Sequence, residues 1–369
     1  MGSRLRRYGG FSIMGAMNQN ALLEWYKNNH RELPFRCNRD PYRIWVSEIM
    51  AQQTRIEAIL GAYERFMNAY DSIEKLADAD DDELMKLWQG LGYYSRARNL
   101  KKAARLCVDC YDGKLPKTKA ELKALPGIGD YTAGAIASIA YGERVSAIDG
   151  NVIRLYARYY GLEDDFSIAR NRKGLEKRVQ ADLPEEKWMP LWNQALMELG
   201  ALICTPKAAR CADCPLYPDC VSGRSENPLR LPVPKQKAAR PQEKFTVYVW
   251  YAKDADGSIW IHLRKRPASG LLAGLYQFDE EKPDPVLSEQ PLGEHRHLFS
   301  HREWCMEGVL VETEKQTDFL RLESACANCS IPSAFLPFLK RTLKILKKED
   351  IPLHFGMHRS QEVIHGKTE

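Results

Sequence analysis

The sequence predicts a multidomain protein: an all-α domain followed by a smaller α+β domain. Three observations predict it. From Asn18 to about Ile203 the apolar residues recur at helical spacing. Between Ser222 and Lys244 that pattern dissolves into Pro228, Pro232, Pro234 and Pro241 among Lys235, Lys237 and Arg240, a composition that reads as a linker. Phe245 to Tyr251 (FTVYVWY) is then β-branched and aromatic, as a strand requires. A chain of 369 residues is long enough for two cores.

Each element has its own signal. Residues 1–17 carry Arg4, Arg6 and Arg7, and Gly9, Gly10 and Gly15 break the short apolar part. This is too interrupted for a secretory signal and is expected to be a disordered extension. In residues 18–222, Ala21, Leu22, Trp25 and Tyr26 form one apolar face, and Ile44, Trp45, Ile49, Met50 and Ile56 another. Breakers at Gly90-Leu91-Gly92, Gly113, Pro126-Gly127, Gly142 and Pro184 divide the region into many short helices without a strand. Residues 223–243 form the linker. In residues 244–369 the first strand is followed by a turn at Asp254–Gly257 and renewed alternation over Ile259–Arg264, and Leu336–Leu346 reads as an amphipathic helix.

Composition narrows the function. Lys+Arg 54 against Asp+Glu 49 gives +5, which suits a polyanionic partner without demanding one. Ten cysteines with four of them clustered indicate metal ligation plus free thiols, hence a reducing compartment. Cys326 and Cys329 form a C-x2-C with no second pair nearby. No apolar run approaches the roughly 20 residues of a membrane helix. The expected location is cytoplasmic, at the nucleoid if the cell is prokaryotic, and the expected state is monomeric.

Three motifs carry chemistry. Cys204, Cys211, Cys214 and Cys220 have the spacing C-x6-C-x2-C-x5-C. Four thiolates this close in sequence suit tetrahedral zinc or an iron–sulfur cube. Leu125-Pro-Gly-Ile-Gly-Asp-Tyr-Thr-Ala133 lies between two helical runs; Gly127 and Gly129 permit a tight turn, and the helix after them offers N–H groups to an anion such as phosphate. Two acids stand in apolar surroundings: Glu48 in Trp45-Val-Ser-Glu-Ile-Met and Asp149 in Ala147-Ile-Asp-Gly-Asn151. Asp149 reads equally as the N-cap of a helix over Val152–Tyr160 and as a catalyst, and a half-buried Glu48 needs a partner or a task.

Taken in order, W-V-S-E-I-M-x-Q-Q-T, G-L-G-Y-Y-S-R, L-P-G-I-G-x-Y-T-A-G-A-I, I-D-G-N-V and the four cysteines resemble the MutY-type adenine DNA glycosylases of the endonuclease III superfamily. The likeness is dense over residues 18–222 and thinner beyond. It implies a helix–hairpin–helix glycosylase domain with a [4Fe-4S] loop on Cys204, Cys211, Cys214 and Cys220, followed by a Nudix-like domain. The implied substrate is double-stranded DNA bearing adenine opposite 8-oxoguanine or guanine. By the same resemblance, Glu48 protonates the adenine and manages the water, and Asp149 stabilises the sugar cation. Tyr131 and Asn151 surround that aspartate, and Arg36 lines the base pocket. Gln53, Leu91 and Tyr93 enter the base stack. Gly127 and Gly129 hold DNA backbone, with Lys207 and Arg210 directed at phosphate, and Phe299, Ser300 and His301 engage 8-oxoguanine. Phe35 departs from the tryptophan frequent in the family, so no contact is expected of it.

Two other readings are open to the same motifs. A bifunctional glycosylase/lyase of the endonuclease III branch carries a Schiff-base lysine where this chain has Tyr131, which cannot form an imine. A non-catalytic iron–sulfur DNA-binding protein has no use for paired acids, yet Glu48 and Asp149 are both present.

Overall fold

The structure is a computed structural model and describes residues 16–233 and 239–353. The expected extension 1–17 lies outside the described residues except at its last two, and so do 234–238 of the linker and the chain from 354. The chain forms two compact units, each drawn from two stretches of sequence: one combines residues up to Glu48 with Leu115–Lys237, the other Ile49–Lys114 with the chain from Ala238.

The first unit is helical. Its centre is the Met189–Leu202 helix, which packs on the helices Gln19–Asn29, Asp130–Tyr141 and Gly150–Tyr160. Trp192, Ala195, Leu196 and Leu199 on this helix are fully buried, so it is apolar nearly all round, as a core helix must be. Close packing is written into glycine: a Cβ at Gly134 would lie 2.2 Å from the Ser146 carbonyl oxygen, and one at Gly200 2.6 Å from Asn151 Cβ. The expected helix after Asp149 forms as Gly150–Tyr160, with Asp149 as its N-cap and its carboxylate accepting the Val152 N–H at 2.8 Å. Gly161 ends it with a left-handed φ of 65°.

The second unit joins helices Ile56–Ala69, Ile73–Ala77, Asp81–Leu87 and Ser95–Cys110 to the expected α+β part. Strands β1 (Gln242–Lys253), β2 (Ile259–Ile261), β3 (Arg264–Lys265), β4 (Tyr276–Gln277), β5 (Ser288–Leu298), β6 (Glu303–Glu312) and β7 (Leu320–Arg321) make a five-stranded sheet in the order β5-β6-β1-β2-β7 and a small β3-β4 pair. β1 and β6 run parallel, from Gln242 opposite Glu303 to Tyr251 opposite Glu312; the other pairings are antiparallel. The Leu336–Ile345 helix buries Phe338, Leu339 and Leu343 in a core shared with Val247, Val249 and Leu310. The first hairpin is therefore present, although its second strand stops at Ile261 rather than Arg264.

Helices and sheet of this unit are tied by side chains. Lys86 Nζ donates to the carbonyls of Cys326 (2.8 Å) and Cys329 (3.3 Å), Gln89 donates to Ile331 O (3.0 Å), and Arg98 to Ala273 O (2.7 Å). The C-x2-C pair thus acts through its main chain. Both thiols are buried, and burial pushes each up to about 11, far from the thiolate that redox exchange needs.

Candidate active site

Glu48, Tyr131, Asp149 and Asn151 come together in the first unit. Glu48 stands on the Pro41–Ala51 helix, where the apolar spacing of Ile44, Trp45 and Ile49 turns its neighbours into the core. Tyr131, in the first turn of the Asp130–Tyr141 helix, donates its hydroxyl to Glu48 Oε2 at 2.7 Å and lies 3.4 Å from Met197 Sδ. Asn151 Nδ2 donates to Asp149 Oδ2 at 2.7 Å. Arg154 Nη2 in turn donates to Asn151 Oδ1 (2.7 Å) and to Gly200 O (2.7 Å), and its Nε donates to Cys204 O (2.7 Å). A relay of hydrogen bonds therefore runs from the Asp149 carboxylate to the main chain of the first clustered cysteine.

The two acids are perturbed in the same direction. Burial lifts the Glu48 carboxyl above its ordinary range; Tyr131's hydrogen bond and Arg36 oppose the lift, and the charge of Asp149 adds to it. Burial also raises Asp149, but the Val152 N–H, Asn151 and Arg154 all favour its ionised form. Glu48 is thus raised with one hydroxyl donor on its carboxyl, while Asp149 accepts from both a main-chain N–H and an amide.

Glu48 opens onto a cavity of about 300 Å³ lined by Tyr26, Phe35, Arg36, Ile44, Ser47 and Gln194 among others. This is the lower end of the roughly 300–1,000 Å³ usual for small-molecule sites. Arg36 lines it as expected, and its Nη1 pairs with Glu198 Oε2 at 2.7 Å. Glu198 also takes Arg31 Nε at 2.7 Å. Both guanidiniums hold this buried carboxyl down at about 2 against the opposing effect of burial. Glu198, Gln194 and Arg154 were missed in the sequence, although a carboxylate inside the apolar run of Met189–Leu202 is itself a signal that something must pair it.

The cysteine loop folds onto the end of the Gly150–Tyr160 helix. Arg158 donates to Thr205 O (2.8 Å) and to Leu231 O (2.8 Å), with Nη1 3.4 Å from Cys204 Sγ. Cys204, Cys211, Cys214 and Cys220 line one pocket with Leu155, Leu216 and Tyr217, unbridged by disulfides. The Gly223 N–H points at Cys220 Sγ from 3.3 Å. Among the described residues no three metal-ligating side chains gather as closely as around a single ion. A set of four soft sulfur donors around a shared apolar space, with a guanidinium and an N–H turned toward them, fits a cluster carrying negative charge. Lys207 and Arg210 are exposed on this loop, and Arg210 is also engaged by Asp213 (3.6 Å) and Leu202 O (3.1 Å).

The hairpin forms as expected. Gly127 takes φ 77°, and Gly129 caps the next helix with open space where a Cβ would stand. In the second unit Gln53 and Tyr93 are exposed, both on left-handed backbone, whereas Leu91 is 6% exposed. Phe299, Ser300 and His301 form the turn between β5 and β6. Phe299 packs edge-on against Trp304 (4.8 Å), leaving Ser300 and His301 exposed. His295 and His297 sit on β5, and burial lowers both, His297 to about 4, so they are neutral strand histidines.

Helices around a glycine hairpin, with two perturbed acids of which Glu48 lines a small cavity, define a class. Residues 46–181 match the HhH-GPD superfamily of base excision DNA repair proteins. A thermostable thymine-DNA glycosylase shares the fold, at 28% identity and a TM-score of 0.50 over 55% of this chain and 93% of that one. The adenine DNA glycosylase of Buchnera aphidicola subsp. Acyrthosiphon pisum (strain APS) is 33% identical, over 81% of this chain and 88% of its own. That of Rattus norvegicus is 35% identical over 75% of this chain. The chain belongs to the adenine DNA glycosylase family. It spans 61% of the rat relative's length and 64% of the Homo sapiens one.

Proposed function

We propose that this protein is a monofunctional base-excision glycosylase that hydrolyses the N-glycosidic bond of adenine mispaired with 8-oxoguanine, or with guanine, and leaves an abasic site. The observation that carries the reading is Glu48: a carboxyl raised by burial, hydrogen-bonded to Tyr131, facing a cavity of about 300 Å³. Glycosidic hydrolysis needs one acid to protonate the leaving base and one carboxylate to meet the positive sugar. Glu48, raised by burial toward its protonated form, delivers its proton to the adenine and then directs the water. Asp149, whose anion would keep the hydrogen bonds from Val152 and Asn151, stabilises the oxocarbenium-like sugar. Arg36, fixed by Glu198, orients the base beside Glu48. Tyr131 stands where a lyase would need an amine, so the product strand stays intact.

The adenine must leave the helix to reach this cavity. Gln53 and Tyr93, with Leu91 behind them, fill the space it vacates. Gly127 and Gly129 present N–H groups to phosphate, and Lys207 and Arg210 add charge from the cysteine loop. Cys204, Cys211, Cys214 and Cys220 would hold one [4Fe-4S] cluster, whose contribution is to order that loop. The helical domain, 18–222, releases the base; the Nudix-like domain, 244–369, reads its partner through Phe299, Ser300 and His301. The enzyme acts as a monomer.

The test is direct. Purified protein is incubated with a duplex holding one adenine opposite 8-oxoguanine, and half of each sample is heated in alkali. A strand break at the adenine that appears only after alkali is expected. A break without alkali, or a covalent adduct trapped by borohydride, contradicts the monofunctional reading; intact strands in both halves contradict the glycosylase.

A further inference from the structure

Arg96, near the start of the Ser95–Cys110 helix, is 8% exposed and spends its guanidinium on main chain. Nη1 donates to the carbonyls of Ile49 (2.6 Å), Met50 (2.9 Å) and Gln52 (2.8 Å). Nη2 donates to those of Leu91 (2.8 Å) and Gly92 (3.0 Å) and to the Thr54 hydroxyl (3.2 Å). That hydroxyl lies 3.4 Å from Leu91 O, and the Trp88 indole N–H donates to Gly92 O at 3.1 Å. One side chain therefore closes two turns far apart in sequence, 49–54 and 91–93.

Each of these turns carries an exposed side chain on strained backbone: Gln53 at φ 57° and Tyr93 at φ 47°, with Tyr93 45% exposed. A left-handed non-glycine residue is strained and persists only where its surroundings over-determine it. The forked bonds of Arg96 supply that over-determination. The carbonyls of Gln52, Leu91 and Gly92 and the Thr54 hydroxyl face the guanidinium, which also lies 5.8 Å from the centre of the Tyr93 ring, while Gln53 and Tyr93 remain exposed. A lysine has three donors on one nitrogen and cannot span both sets of acceptors as the planar fork does.

We propose that Arg96 is a positioning residue that locks Gln53 and Tyr93 into one rigid, two-pronged wedge. The inference rests on the reading of these turns as the ones that enter the stack. Extruding a nucleotide costs unstacking and unpairing energy, and prongs that had to be ordered on binding would add their own entropy to it. With Arg96 in place that ordering is completed during folding.

The experiment compares full-length wild type, Arg96→Gln, Arg96→Lys and Tyr93→Ala on duplexes with 2-aminopurine replacing the target adenine opposite 8-oxoguanine, its fluorescence reporting unstacking. A parallel series measures single-turnover adenine release from ordinary duplexes and from duplexes weakened by flanking mismatches. Both Arg96 variants should bind duplex within roughly threefold of wild type yet give little fluorescence rise, and should release adenine roughly ten- to hundredfold more slowly. Flanking mismatches should restore most of that rate, because the cost the wedge meets is then already met. Arg96→Lys keeps a buried cation and serves if the glutamine variant does not fold. Wild-type unstacking in both variants overturns the proposal, and so does a rate defect that flanking mismatches leave unchanged, since that is damage to the catalytic site. If Tyr93→Ala also unstacks normally, the reading of the turns themselves fails; if Tyr93→Ala alone loses unstacking, only the role of Arg96 does.

Discussion

At the scale of single residues, the chemistry depends on how two carboxyls respond to the same burial. Burial raises both Glu48 and Asp149; a tyrosine hydroxyl and Arg36 favour the charge of Glu48, and two main-chain N–H groups, the Asn151 amide and Arg154 favour that of Asp149. The sign of the pH dependence follows. In the proposed mechanism activity needs Glu48 protonated, so it is lost as pH rises through the Glu48 pKa; it needs Asp149 ionised, so it is lost as pH falls through that of Asp149. A bell-shaped profile of single-turnover release is expected. Asp149→Asn should lower release by at least about a hundredfold while duplex affinity, measured by titration, changes little; loss of both together points to a structural role. Glu198 has the opposite sign from the site acids. Its carboxyl is held at about 2, so its two arginine pairs contribute stability above the unfolded carboxylate range, and that stability is lost as pH falls toward 2. Glu198→Gln, which leaves Arg31 and Arg36 facing a neutral amide, should cost about 3 kcal/mol in denaturant unfolding near neutral pH.

At the scale of elements, the site depends on helices that approach unusually closely. Gly200 lets the Met189–Leu202 helix lie against Asn151, and a Cβ there would meet Asn151 Cβ at 2.6 Å. Gly200→Ala should therefore displace the Asn151 amide from Asp149, slow release roughly tenfold and cost about 1–3 kcal/mol of stability. Melting curves and single-turnover rates measured together check both effects. Much of this level was legible in the sequence. The glycines at 127 and 129, the helix after Asp149 and the alternation from Phe245 each follow from backbone rules that act within a few residues. What was not legible is non-local. Glu198 lies 162 residues from Arg36, and the six acceptors of Arg96 come from two turns about forty residues apart, so no periodicity announces them. The β5–β6 turn lies between these cases. Its F-S-H tripeptide was visible, but the packing of Phe299 on Trp304, which leaves Ser300 and His301 as the presented pair, was not. Ser300→Ala with His301→Ala should weaken the preference for adenine opposite 8-oxoguanine over guanine by roughly tenfold. Unchanged discrimination contradicts that assignment.

At the scale of the whole molecule, residues distant in sequence are gathered into two cores that ignore the sequence order of the domains. The unit holding Glu48 and Asp149 also holds the four cysteines, and the Asn151–Arg154 relay ends on the carbonyl of Cys204. The unit holding Gln53 and Tyr93 also holds Ser300 and His301. The proposed mechanism stands on Glu48 as the proton donor inside the cavity. The most direct measurement is single-turnover adenine release by Glu48→Gln across pH, beside a duplex titration. The prediction is a loss of at least about a hundredfold, disappearance of the alkaline limb in what activity remains, and unchanged affinity for the duplex. Release at the wild-type rate, or a variant that keeps the alkaline limb, contradicts it.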